Sequence, residues 1–203
     1  RLAKVGQTGG TGLSEAIDPE NGWQYNVVRG ALSKTGRWVA SGIRKETFGG
    51  KILGGAIRLE QWNGQTFDLL IREGWWIGRP DLTVNGLEVQ GIPLRLTFDP
   101  TDRWLGAQTE NSIYVFDVPS LGASHTRVDF LPTHLGVLRF NAEGTLLAAG
   151  HAKGLRVWRV PSLKQLLDLP GTQTSAIAFS PDGCLLAWGD VDGNVHIINA
   201  PKP

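Results

Sequence analysis

The side chains able to do chemistry are thinly spread along this chain. Its four histidines, His125, His134, His151 and His196, give no His-x-x-x-His or Glu-x-x-His spacing of the kind that puts two metal ligands on one face. Asp190-Val191-Asp192-Gly193-Asn194 starts like a calcium loop, but its glycine comes too early and the twelfth place is Pro201 instead of a bidentate Glu. Gly6 to Gly12 is glycine-rich without the Gly-Lys-Ser/Thr ending that a phosphate loop needs, and reads as a connection. Ser, His and Asp all occur, yet no Gly-x-Ser-x-Gly elbow does. A single cysteine, Cys184, excludes an internal disulfide and a multi-cysteine metal site. No catalytic residue, metal or cofactor is expected on these grounds.

Contact chemistry is better represented. Trp75-Trp76 offers large amphipathic area, and Arg44, Lys45, Lys51 and Arg79 make its surroundings basic, with Phe48 among them. Two readings stand: the tryptophans tuck an insertion onto the protein, or they anchor a partner. Arg44, Lys45, Phe48, Trp75, Trp76 and Arg79 are the residues expected to bind one.

The elements that carry these residues repeat. Ala176–Gly189 contains an apolar run, a Ser-Pro-Asp-Gly turn and a second apolar run, which reads as a β-hairpin. Leu138–Gly150, Leu96–Ala107 and Ala31–Gly42 are further copies. Aligning the ends of their turns puts Gly36, Asp102, Gly144 and Gly183 in register, the later copies 42 and 39 residues apart. A third strand follows in each copy (Ile57–Trp62, Ile113–Val118, Leu155–Val160, Val195–Ala200), and a weaker fourth near Thr66–Arg72, Ser124–Leu131 and Lys164–Leu169. Short strands repeating at about 40–45 residues are the signature of a β-propeller.

At this point the chain resembles the WD-repeat family. The Trp-Asp pair of that family corresponds to Phe116-Asp117 and Trp158-Arg159, and has decayed to Ile198-Asn199 and Glu60-Gln61. The resemblance implies an all-β propeller, with about four blades of four antiparallel strands in this chain. It also implies that Asp192, and less exactly Glu110, joins a buried hydrogen-bond network at the turn before the third strand. The expected blades cover about 24–72, 93–131, 135–169 and 174–200, after an N-terminal strand and linker at 1–23. Arg1–Gln7 is the candidate for closing the last blade; otherwise the ring is completed by further blades, or by a second copy as a homodimer. The repeats fail to match at 43–56 and 72–92, read as loop insertions that meet on one rim of the disc.

Composition adds bounds. The 203 residues are 41% hydrophobic and 19% charged, an ordinary globular balance, and the net charge of +1 argues against nucleic acid as a partner. No apolar run is long enough to span a bilayer and the start is unlike a secretory signal, so a cytoplasmic location is expected. The chain starts at Arg1 and has no Met, which suggests a segment of a longer product. The function expected is a non-catalytic protein-interaction scaffold presenting its inserted rim to a protein. The competing expectation is a propeller enzyme or small-molecule binder that uses the axial channel.

Overall fold

The structure, a computed structural model, describes residues 16–18, 23–62, 67–69, 88–89, 91–120, 125–130 and 136–203. Seventeen strands and no helix occupy them. The first sheet holds β1 (Ala16–Asp18), β2 (Trp23–Leu32), β3 (Trp38–Thr47), β4 (Ile52–Trp62), β5 (Phe67–Leu69) and β6 (Glu88–Val89). The second holds β7 (Arg95–Phe98), β8 (Trp104–Gln108), β9 (Ser112–Asp117) and β10 (His125–Asp129). The third holds β11 (Leu138–Phe140), β12 (Leu146–His151), β13 (Gly154–Arg159) and β14 (Lys164–Pro170). The last holds β15 (Thr174–Phe179), β16 (Leu185–Asp190) and β17 (Val195–Asn199). Every pairing is antiparallel between neighbours, and the fold is a β-propeller whose blades differ in size, with three strands in the last and six in the first.

The repeated hairpin is built by one short polar residue. Ser33 Oγ, Asp99 Oδ1, Asn141 Oδ1 and Ser180 Oγ each accept the backbone N–H five residues on, at 3.1, 2.6, 2.9 and 2.8 Å. Small acceptors at a turn satisfy a donor that would otherwise be orphaned. Three residues after each comes the aligned position, where Gly36, Asp102, Gly144 and Gly183 have φ of 73°, 60°, 69° and 69°. Glycine adopts that conformation freely, whereas Asp102 is the one side chain that does so among the four.

Alternation along the strands buries both sides of the middle blades. Three apolar cores follow in chain order. Trp38, Ile57, Leu59, Leu105 and Phe116 fill the first, between the first and second blades. Ile113, Val115, Phe140 and Trp158 fill the next, and Leu155, Val157, Ile177 and Leu186 the last. Trp104 and Trp188 pack at the margins of these cores, so the strand tryptophans serve packing between blades.

The first blade corrects the loop reading of 43–56. Those residues are paired backbone: Ile43 faces Ala56, Lys45 faces Gly54 and Glu46 faces Ile52. β2, β3 and β4 run 10, 10 and 11 residues, against 4, 5 and 6 for β7, β8 and β9. The excess is a continuation of the sheet, with β1 on one flank against Trp23–Tyr25 and β6 on the other against Gly55 and Ala56. The fourth strand expected near Thr66–Arg72 is divided between β5 and β6, which share β4 as their neighbour. Residues 1–15, including the closing-strand candidate Arg1–Gln7, lie outside those described.

Candidate partner-binding surface

The extension of the first blade ends in a three-residue loop. Thr47 and Lys51 pair through Thr47 N–H to Lys51 O at 2.8 Å, Gly50 N–H returns to Thr47 O at 2.8 Å, and Gly50 has φ of 81°. The Thr47 hydroxyl also accepts the Lys51 N–H at 3.1 Å. This closure suits a turn followed by a glycine in the left-handed region, and explains Gly49-Gly50. Around it Phe48, Ile52 and Leu53 are each about half exposed, and Lys51 is exposed beside them. An apolar tip on a hydrogen-bonded hairpin has little ordering entropy left to lose.

The sides of the hairpin are anchored by polar pairs. Asn26 Nδ2 donates to Glu46 Oε1 at 2.6 Å, and Arg44 Nε lies 2.9 Å from Glu46 Oε2. Arg44 is thus held against a nearly buried carboxylate, with its own side chain still partly exposed. Lys45 lies on β3 opposite Tyr25 and Gly54. Phe48 stands half exposed in the loop at the tip of the hairpin. Trp75, Trp76 and Arg79 lie outside the described residues, between Leu69 and Glu88, both of which pair with β4. Ile52 and Leu53 were missed in the sequence because they read as loop. The signal was available: an aliphatic pair directly follows a Gly-Gly-Lys turn.

The base of the extension is clamped by the chain crossing to the second blade. A Cβ on Gly42 would come within 2.9 Å of Pro93 Cβ, and one on Gly55 within 2.3 Å of Gly91 O. Glu110 Oε2 accepts the Ile92 N–H at 2.5 Å, and Gly91 adopts φ of 91° below it. Glu110 therefore holds this crossover. The expected network acid, Asp192, is replaced in that role by Asp190. Its carboxylate accepts the Asp192 and Asn194 N–H groups at 3.0 and 2.9 Å and meets His196 Nε2 at 2.9 Å. The bond from His196, with support from Asn194, holds the Asp190 carboxyl well below the usual carboxylate range. His196 stacks on Trp188 with ring centroids 4.8 Å apart.

On the innermost strands, Arg29 Nε and Arg95 Nη1 both donate to Leu94 O, at 2.9 and 2.7 Å. Burial, and then the charge of Arg29, push the Arg95 guanidinium below its ordinary value. Among the described residues no group of three or more His, Cys, Asp or Glu side chains could hold a metal. No helix of the described residues is long and apolar enough to cross a membrane.

No protein-family model matches the chain. It is similar to the guanine nucleotide-exchange factor SEC12 of Rattus norvegicus and of Mus musculus, 32% identical to each over 108 residues, which are 52% of this chain and 26% of each relative. The chain thus matches about a quarter of the length of those curated relatives. Among solved structures it is similar to the computationally designed Ika4 protein (TM-score 0.53, 19% identity, 86% of this chain and 91% of that one). It is also similar to Sqt1 of Chaetomium thermophilum (TM-score 0.55, 15% identity, 89% of this chain and 58% of that one). At those identities the likeness is one of fold.

Proposed function

We propose that this chain is a WD-repeat-type propeller module that binds a protein partner through the extended first blade and does no chemistry of its own. The observation that carries the reading is the half-exposed trio Phe48, Ile52 and Leu53 on a hairpin fixed by its own turn and clamped at its base. Exposed apolar clusters on rigid supports mark contact sites, and loss of such anchors removes most of an interface's energy. The cation of Lys51 at the tip favours a partner with acidic residues around an apolar cleft. The exchange activity named for the similar SEC12 proteins makes a guanine-nucleotide-binding protein the first partner class to assay.

The test is co-purification with the tagged chain, comparing the natural sequence with the Phe48→Ser, Ile52→Ser, Leu53→Ser triple variant. Loss of the partner at unchanged thermal unfolding supports the reading, and equal capture by both chains overturns it. If the captured partner binds guanine nucleotide, its nucleotide release is measured with and without the chain. Acceleration would mean that the module itself promotes exchange.

A further inference from the structure

The side of each blade that faces the next carries the same pair on its third strand: Ile57 and Leu59, Ile113 and Val115, Leu155 and Val157, then Val195 and Ile197. The first three pairs are sealed by the following blade, with exposures of 0 and 3%, 0 and 1%, and 0 and 0%. In the fourth blade the exposures are 74 and 63%. Leu185, on the same side, is exposed as well, whereas its counterpart Leu146 in the third blade is buried. A face built four times and covered three times by the same kind of element states what covers it.

The complementary side is built only three times. The second blade offers Leu96, Phe98 and Phe116 to its predecessor; the third offers Leu138, Phe140 and Trp158; the fourth offers Ile177, Phe179 and Ile198. At the matching registers the first blade has Gly30, Leu32 and Glu60. Glu60 is ion-paired with Arg58, which is 5% exposed within the single chain, as Ile43 on that side is fully buried. That side is thus already covered at Arg58 and Ile43 within the single chain, and Val195 and Ile197 would meet a buried ion pair and the bare backbone of Gly30 in place of the apolar residues that blades two to four present.

We propose that the bare side of the fourth blade is a docking surface for a further propeller blade of the type of blades two to four. Such a blade presents an aliphatic and an aromatic residue on its innermost strand and a large apolar residue on its third. The first blade of a second copy of this chain is not that blade, so two copies do not close a ring head to tail.

The test is light scattering on the full chain and on a variant whose first blade is converted to the second's pattern by Gly30→Leu, Ser41→Ala, Arg58→Tyr and Glu60→Phe. The natural chain should have the 22.0 kDa mass of one copy. The converted chain should double that mass or exceed it, and adding Ile197→Asp should return it to one copy. A natural chain that is already a dimer, and loses that state on Ile197→Asp, overturns the proposal because the second copy is then the occupant. A converted chain that is folded by circular dichroism yet stays single overturns it as well. If the fourfold variant does not fold, Glu60→Phe alone is read in the same way. At least a tenfold rise in self-association supports the proposal, and no change overturns it.

Discussion

Asp102 Oδ1 accepts the backbone N–H of Lys34 at 3.1 Å, joining the turn of the second blade to the turn of the first. Its other oxygen takes the Thr35 hydroxyl. The same residue carries the positive φ that the other three blades assign to glycine. Asp102→Ala should lose the bond across the blades while keeping the unfavourable backbone, costing about 1–3 kcal/mol. Asp102→Gly should cost less because it relieves the backbone part. Urea denaturation of the two variants measures both.

The crossover over the first blade depends on two absent side chains. Gly42→Ala and Gly55→Ala place a methyl against Pro93 and the Gly91 carbonyl and should each destabilise by about 1–3 kcal/mol. Gly30→Ala meets only the Ala40 carbonyl oxygen, at 4.0 Å, and should be close to neutral. Denaturation midpoints of the three variants would show whether close approach, and not glycine content, matters.

Equivalent positions in the last two blades should behave unlike one another. Leu155→Ala opens a hole in a sealed core and should cost about 2–5 kcal/mol. Val195→Ala, one repeat later on a bare face, should stay within about 0.5 kcal/mol. A large loss at Val195 in the isolated chain would mean that its face is already covered.

Asp190 sets an acid limit. Its carboxyl is held below the ordinary 3.8 in the folded chain by the bond from His196 and then by Asn194. A depressed folded value contributes stability above the unfolded value and loses it as pH falls toward the folded one. Stability should therefore drop on acidification below about pH 4 by more in the natural chain than in Asp190→Asn. Urea midpoints at neutral pH and at about pH 3 give the comparison. An equal drop in both would remove Asp190 from the account.

Much of the fold could be read from residue types. The left-handed turn position was visible because glycine recurs there, and even Asp102 fell into register by spacing. Ser33, Asp99, Asn141 and Ser180 were equally visible, three residues earlier, but their caps become apparent only when the turn is folded. The first-blade extension was hidden by Gly49-Gly50 and Gly54-Gly55. Paired glycines usually mean a loop, and here the first pair closes a tight hairpin while Gly55 lets a neighbouring chain pass. Asp192 looked like the network acid because it stands beside the turn glycine. Asp190 takes the role because it is the residue at the end of β16, where a carboxylate can cap the whole turn. Bareness of Val195 and Ile197 was beyond sequence reasoning, since their types match those of their buried counterparts.

The divided outer strand of the first blade has an engineering consequence. Glu60 faces Leu69 and Ala56 faces Glu88, so four steps along β4 correspond to nineteen along the outer chain, fifteen more than an unbroken strand requires. The two anchor points are therefore only about 13 Å apart at roughly 3.3 Å per residue. Any polypeptide whose ends meet at that separation, a whole reporter domain included, could be spliced between Leu69 and Glu88 while β4 keeps its partners. The blade edge is a natural graft port, where cargo can be exchanged without renegotiating the fold that carries it.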